Sequence, residues 1–146
     1  MTENYSPEIR LRQADIIIAY AILRIVFGIN IFVHGLVRIG NIPGFVESQV
    51  GLYEGLPVPE FLIAGPAFLI PIVEFVTGFL MILGLATRPA LIAGFLLMMP
   101  LMFGVCLLQK WDVAGSQLIY CLVFFVLIVA LPYNLISIDR VRKTGL

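Results

Sequence analysis

Arg24 and Glu74 each stand deep inside a long apolar run. An ionised side chain in hydrocarbon is expensive and persists only when it is paired or faces a wet, protein-lined interior. Counting helical rise from the two ends that share one membrane surface places both residues at a depth of about 15–18 Å. Opposite charges at matched depth on successive spans predict a buried ion pair. Such a pair serves either to fix helix register or to build an interior charged site, and the two readings weigh about evenly.

A second set of groups follows from helical spacing. Tyr20, Arg24, Phe27, Gly28, Ile31, His34, Gly35 and Arg38 fall on one stripe of a 3.6-residue helix, with Asn30 at its edge. Near the far end of that stripe, by depth alone, stand Gln109, Lys110, Trp111, Asp112 and Gln117. His34 is the only histidine. An unperturbed imidazole titrates at about pH 6.5 and suits proton exchange, while a hydrogen-bonded interfacial histidine is the competing reading. His34, Arg38, Gln117 and Asn30 therefore form the candidate site for proton exchange. Trp111 reads as an aromatic anchor at the membrane surface. No second histidine or carboxylate lies at ligand spacing, so no metal site is expected. Cys106 and Cys121 match no zinc or CxxC pattern and read as small packing residues, a redox pair being the minority alternative. GxGxxG, P-loop, CxxCH and nucleophile-elbow signatures are absent from the sequence.

The elements that must carry these residues are membrane spans. The 146 residues are 61% hydrophobic and only 12% charged, with zero net charge, about half the charged fraction of a soluble domain. Lipid must therefore cover most of the surface, and no basic patch invites nucleic acid. The expected fold is all-α: one domain over 1–146, a transmembrane four-helix bundle with helices at about 14–37, 60–86, 89–109 and 113–132. Residues 1–13 and 133–146 read as tails. Met1–Gln13 is too polar, and the next apolar run too long, for a cleavable signal. Pro66, Pro71 and Pro100 interrupt the second and third spans and free backbone carbonyls there. The stretch 39–59 is rich in Gly and Pro yet partly apolar, and reads as a short extracytoplasmic amphipathic segment that lies at the membrane interface or caps the bundle. Arg10, Arg12, Arg88, Arg140, Arg142 and Lys143 lie on one side, and Arg38 and Lys110 on the other. That bias predicts cytoplasmic termini in a multi-pass protein of the cell (inner) membrane.

With these residues in place, the sequence resembles the DoxX family of small four-helix membrane proteins over about residues 17–139. The likeness rests on Leu23-Arg24-Ile25, Val33-His34-Gly35-Leu36, Pro43-Gly44-Phe45, Gly55-Leu56-Pro57-Val58-Pro59, Glu74 and Gly84-Leu85-Ala86-Thr87-Arg88. Trp111-Asp112 and Gly115-Ser116-Gln117-Leu118 resemble a bacterial subgroup. The family takes its name from a subunit of a thiosulfate:quinone oxidoreductase. The resemblance implies the fold, a cytoplasmic motif at Thr87-Arg88, an outer turn at Trp111-Asp112, and chemistry in which a sulfur or thiol donor reduces a quinone.

Three functions compete. In the first, the chain is a subunit of a quinone-linked oxidoreductase or redox-stress complex, with quinone as the ligand of the His34 site. In the second, it is a non-catalytic structural or accessory subunit of a larger membrane complex. In the third, it is a small transporter or channel, against which stand four helices without inverted repeats. Expected partners are the lipid bilayer and either redox subunits or further copies of the chain.

Overall fold

Four long apolar helices, a short helix between the first two and a C-terminal hook make up the computed structural model of the chain, which describes residues 12–144. The expected tail 1–13, and Arg10 with it, lies outside the described residues up to position 11. The long helices are α1 (Gln13–Ile39), α3 (Phe61–Leu83), α4 (Thr87–Leu107) and α5 (Trp111–Val129), each long and apolar enough to cross a membrane. Between the first two lies α2 (Ile42–Gly51), and α6 (Ile138–Thr144) ends the chain. No strand occurs among the described residues. The fold is thus all-α, a helical bundle built on four candidate spans.

Local chemistry accounts for each boundary. Asp15 near the start of α1 and Arg38 near its end complement the helix dipole. Asn41 opens α2 by accepting from Gly44 N–H at 3.0 Å, with a proline in its first turn. That helix falls in the amphipathic stretch expected over 39–59. Tyr53, beyond it, brings its hydroxyl against Gly104 of α4, and burial pushes the phenol's pKa up. α3 stops at Gly84, whose φ of +64° suits glycine. Gly84 N–H donates to Met81 O at 3.2 Å and Leu85 N–H to Leu80 O at 3.0 Å, a Schellman ending. α3 therefore ends earlier than the expected residue 86, and α4 begins at Thr87, leaving Pro89 in its first turn. α3 and α4 run as unbroken helices through Pro66, Pro71 and Pro100.

Packing is closest between α1 and α3. A Cβ on Gly35 would lie 2.7 Å from Phe75 Cα, and one on Gly78 would lie 2.6 Å from Phe32 Cα, so neither site has room for a side chain. These approaches fix the α1–α3 register. Aromatic packing centres on Phe124, with Phe27 edge-on at 4.8 Å and Phe95 stacked at 5.8 Å, above Tyr20, Met81, Leu91 and Leu127. Val37, Leu96, Phe103, Leu118 and Leu122 point outward as the lipid-facing surface.

Residues 131–144 are not a free tail. Leu131–Tyr133 forms one turn of 3-10 helix containing Pro132, and α6 folds back onto the α3–α4 turn. Asp139 N–H donates to Gly84 O at 2.9 Å. The Asp139 carboxylate accepts from Ala86 N–H at 2.7 Å and Thr87 N–H at 2.8 Å, capping α4 from a different element. Burial alone raises an aspartate pKa, but the hydrogen bonds from Thr87 and Ala86 and the nearby Lys143 charge outweigh it, leaving the Asp139 carboxyl below its ordinary value.

Candidate functional site

The predicted Arg24–Glu74 pair does not form. Both residues are buried, at 2% and 6% exposure, but they serve opposite ends of the bundle. Arg24 reaches the C-terminus of α3. Its Nη1 donates to Met81 O and, at 3.3 Å, to Ile82 O, and its Nη2 donates to Ile136 O at 2.9 Å. The guanidinium thus adds a second donor to Met81 O, supplies one to Ile82 O, which the helix end leaves open, sits at the negative pole of the α3 dipole, and ties α3 to the chain after α5. Only Nε lacks a partner.

Glu74 instead belongs to Arg38. One nitrogen of Arg38, Nη1, donates to both carboxylate oxygens at 2.8 and 2.6 Å. The cause of the error is register. Gly35 lies level with Pro71–Phe75, and Gly28 level with Gly78–Ile82. The two helices are therefore offset by about nine residues, roughly 13 Å, from the equal-ended alignment assumed in the depth count. Glu74 lies one turn from Arg38, and Arg24 lies beside the end of α3.

Around the observed pair the structure assembles most of the candidate site. His34 and Arg38 of α1, Glu74 of α3, Met98 and Leu101 of α4, and Val113, Ser116, Gln117 and Tyr120 of α5 line a mainly apolar cavity of about 220 Å³. Arg38 is held on three sides: by Glu74, by the Phe45 ring of α2 at 5.1 Å from its centroid, and by His34 Nδ1, a long 3.5 Å from Nη2. A guanidinium can only donate, so a neutral His34 accepts at Nδ1 and carries its ring proton on Nε2. Gln117 Oε1 is buried without a partner on the facing helix. Arg38 and Glu74 cancel each other's charge, so the cavity holds no net charge for an ionic ligand to neutralise.

Asn30 stands apart from the cavity lining. It is exposed and accepts from the Tyr120 hydroxyl at 2.8 Å. That bond, with Phe27 against Tyr120 at 5.5 Å and Tyr20 O–H on Leu127 O at 3.1 Å, closes the seam between α1 and α5 below the cavity. Trp111 and Asp112 are exposed at the start of α5 and do not line the site. Thr87 is buried under the α3–α4 turn at the opposite end, whereas Arg88 is exposed there. Cys106 and Cys121 are free thiols. Cys106 is near the end of α4 and Cys121 ten residues into α5, separated along the antiparallel pair by about 13 Å. Among the described residues no three His, Cys, Asp or Glu side chains are grouped for a metal ion.

Sequence reasoning missed Glu74 as a cavity residue and gave Tyr120 and Ser116 no role. Phe45 entered it only as part of the apolar 39–59 stretch and of the Pro43-Gly44-Phe45 likeness. Tyr120 carried a usable signal, lying three residues after Gln117 on one face of α5.

No curated protein and no solved structure matches the chain. The family model described as DoxX matches residues 19–107, from the first turns of α1 to the end of α4. This range includes Arg24, His34, Arg38, Glu74 and the Gly84–Arg88 turn and stops short of α5. By that match the chain belongs to the DoxX family.

Proposed function

We propose that the cavity binds the headgroup of a quinone and that the chain serves as a membrane subunit of a quinone-linked oxidoreductase drawing electrons from a sulfur or thiol donor. The carrying observation is the convergence of His34, Arg38, Glu74 and Gln117 on one mainly apolar cavity. Its volume, about 220 Å³, exceeds the about 150 Å³ that accommodates benzene and falls below the about 300–1,000 Å³ of drug-sized pockets. That is the scale of one substituted ring. The cancelled Arg38–Glu74 charge favours a neutral headgroup, and a His34 Nε2–H together with the Gln117 amide offers hydrogen bonds to two ring oxygens.

Reduction of the quinone takes two electrons and two protons and gives the quinol. Oxidation of two thiols to one disulfide releases the same two electrons and two protons. The two protons reach the quinone oxygens from water at the nearby end of α1 and are replaced by the two that the thiols release, while the His34 Nε2–H hydrogen-bonds a ring oxygen as its charge develops. The electron donor is delivered by a partner subunit or as a small thiol. The basic end of the bundle, with Arg88, Arg140, Arg142 and Lys143, faces the cytoplasm in this reading, and the cavity opens toward the outer half of a bacterial inner membrane.

The test is the quinone content of protein purified in mild detergent, with quinone reduction by membranes supplied with thiosulfate or a dithiol. Bound quinone and donor-dependent reduction, both weakened in His34→Ala, are expected. Protein free of quinone from quinone-replete cells, with reduction unchanged in the variant, would leave a purely structural role.

A further inference from the structure

At the end of the bundle away from the quinone cavity, a cleft of about 430 Å³ opens between the start of α4 and the returning chain of residues 131–143. Arg88, Arg140 and Lys143 line it, all exposed. Asp139 is the one carboxylate in the lining, and both its oxygens are occupied by Ala86 and Thr87 N–H groups. The cleft therefore presents three cations against one engaged anion. Its remaining wall is apolar, with Pro89, Leu131 and Leu135 among its members. Asn134 Nδ2 donates to Thr87 Oγ1 at 3.0 Å, which fixes the returning chain against the start of α4. The level of the cleft is fixed by the helices, since α4 begins and α5 ends beside it, which puts it at the boundary between hydrocarbon and water.

We infer that this cleft is a binding site for an anionic phospholipid: Arg88, Arg140 and Lys143 take the phosphodiester, and the Leu131–Leu135 wall receives the glycerol and the roots of the acyl chains. The combination selects the ligand class. A soluble anion makes no use of the apolar wall, and a zwitterionic lipid brings its own cation against three others. The site also gives the α6 hook a function, because Arg140 and Lys143 reach the cleft only when Asp139 holds α6 on the α3–α4 turn.

Native mass spectrometry of the full chain in mild detergent, titrated with phosphatidylglycerol, phosphatidylcholine or glycerol 3-phosphate, tests the inference. Phosphatidylglycerol is expected to be retained at least tenfold better than phosphatidylcholine, with glycerol 3-phosphate not retained. R88Q/R140Q should lower phosphatidylglycerol affinity about thirtyfold, at roughly fivefold per basic residue at a membrane surface, whereas Lys110→Gln at the opposite end should leave it unchanged. Should the double variant not fold, wild type still decides. Raising ionic strength from about 0.05 to 0.5 M must release phosphatidylglycerol while phosphatidylcholine stays as it was. Equal retention of the two lipids, salt-insensitive retention, or undiminished affinity in a folded R88Q/R140Q would overturn the site. Glycerol 3-phosphate binding as tightly as the lipid would overturn its assignment to a phospholipid.

Discussion

Glu74 on α3 accepts both of its hydrogen bonds from Nη1 of Arg38 on α1, and the pair forms one wall of the cavity that also holds His34 and Gln117. The two partners are unequal, for the Glu74 side chain is 8% exposed and that of Arg38 is 29% exposed. A stranded arginine can extend its charge toward the surface, whereas a stranded Glu74 cannot. Arg38→Gln is therefore expected to destabilise by about 2–4 kcal/mol, below the top of the range for a fully buried pair, and Glu74→Gln by less. R38Q/E74Q should recover much of the loss. Thermal unfolding in detergent measures all three, and equal costs for the two single variants would contradict the assigned burial.

Arg24 is predicted to be irreplaceable by lysine. One ammonium cannot reproduce a planar fork that bonds the α3 terminus with one nitrogen and Ile136 O with the other. Arg24→Lys should cost about 2–3 kcal/mol through unsatisfied carbonyls. It should also increase proteolysis within residues 134–144 before the bundle unfolds. Wild-type resistance of that segment in Arg24→Lys would argue against the tie.

The α1–α3 register depends on backbone contact at Gly35 and Gly78. Gly78→Ala should force the helices apart and cost about 1–3 kcal/mol, while Gly115→Ala, where the added Cβ meets nothing within 4 Å, should be neutral to slightly stabilising. Because Glu74 and Arg38 meet only in this register, Gly78→Ala should also weaken ligand retention in the cavity. Cysteine crosslinking across α1 and α3 checks the register independently.

Asp139 predicts a pH response. Its folded-state pKa lies below the unfolded value, so the stability it contributes is present above about pH 3.9, the ordinary aspartate value, and is lost as pH falls below that toward the lower folded value. Protection of the Ala86 and Thr87 amides from hydrogen exchange should therefore fall below that pH. In Asp139→Asn protection should be low throughout and flat with pH. Persistent protection in the variant would show that the cap is not the carboxylate.

These residues also show what the sequence could convey. Composition and span length were enough for the all-α membrane bundle, and the helix-one stripe matches the buried face of α1 from Tyr20 to Gly35. His34, Arg38 and Gln117 were legible as a group because a membrane sorts polar side chains by depth. Partnership was not legible. Depth is one coordinate of three, and the α1–α3 offset is set by where glycines let backbones touch, which no charge count reveals. The α6 hook escaped notice because a polar tail and a tail folded onto a turn have the same composition. Contacts such as that of the Asp139 carboxylate, bound to amides some fifty residues earlier, separate them.

The direct test of the central claim uses the single tryptophan, Trp111, two residues before the cavity-lining Val113. Titration of purified protein with a short-tailed quinone should quench Trp111 fluorescence saturably, and the apparent affinity should fall at least tenfold in His34→Ala and in Gln117→Leu. Linear, non-saturating quenching of the same slope in all three proteins would contradict a quinone site in the cavity.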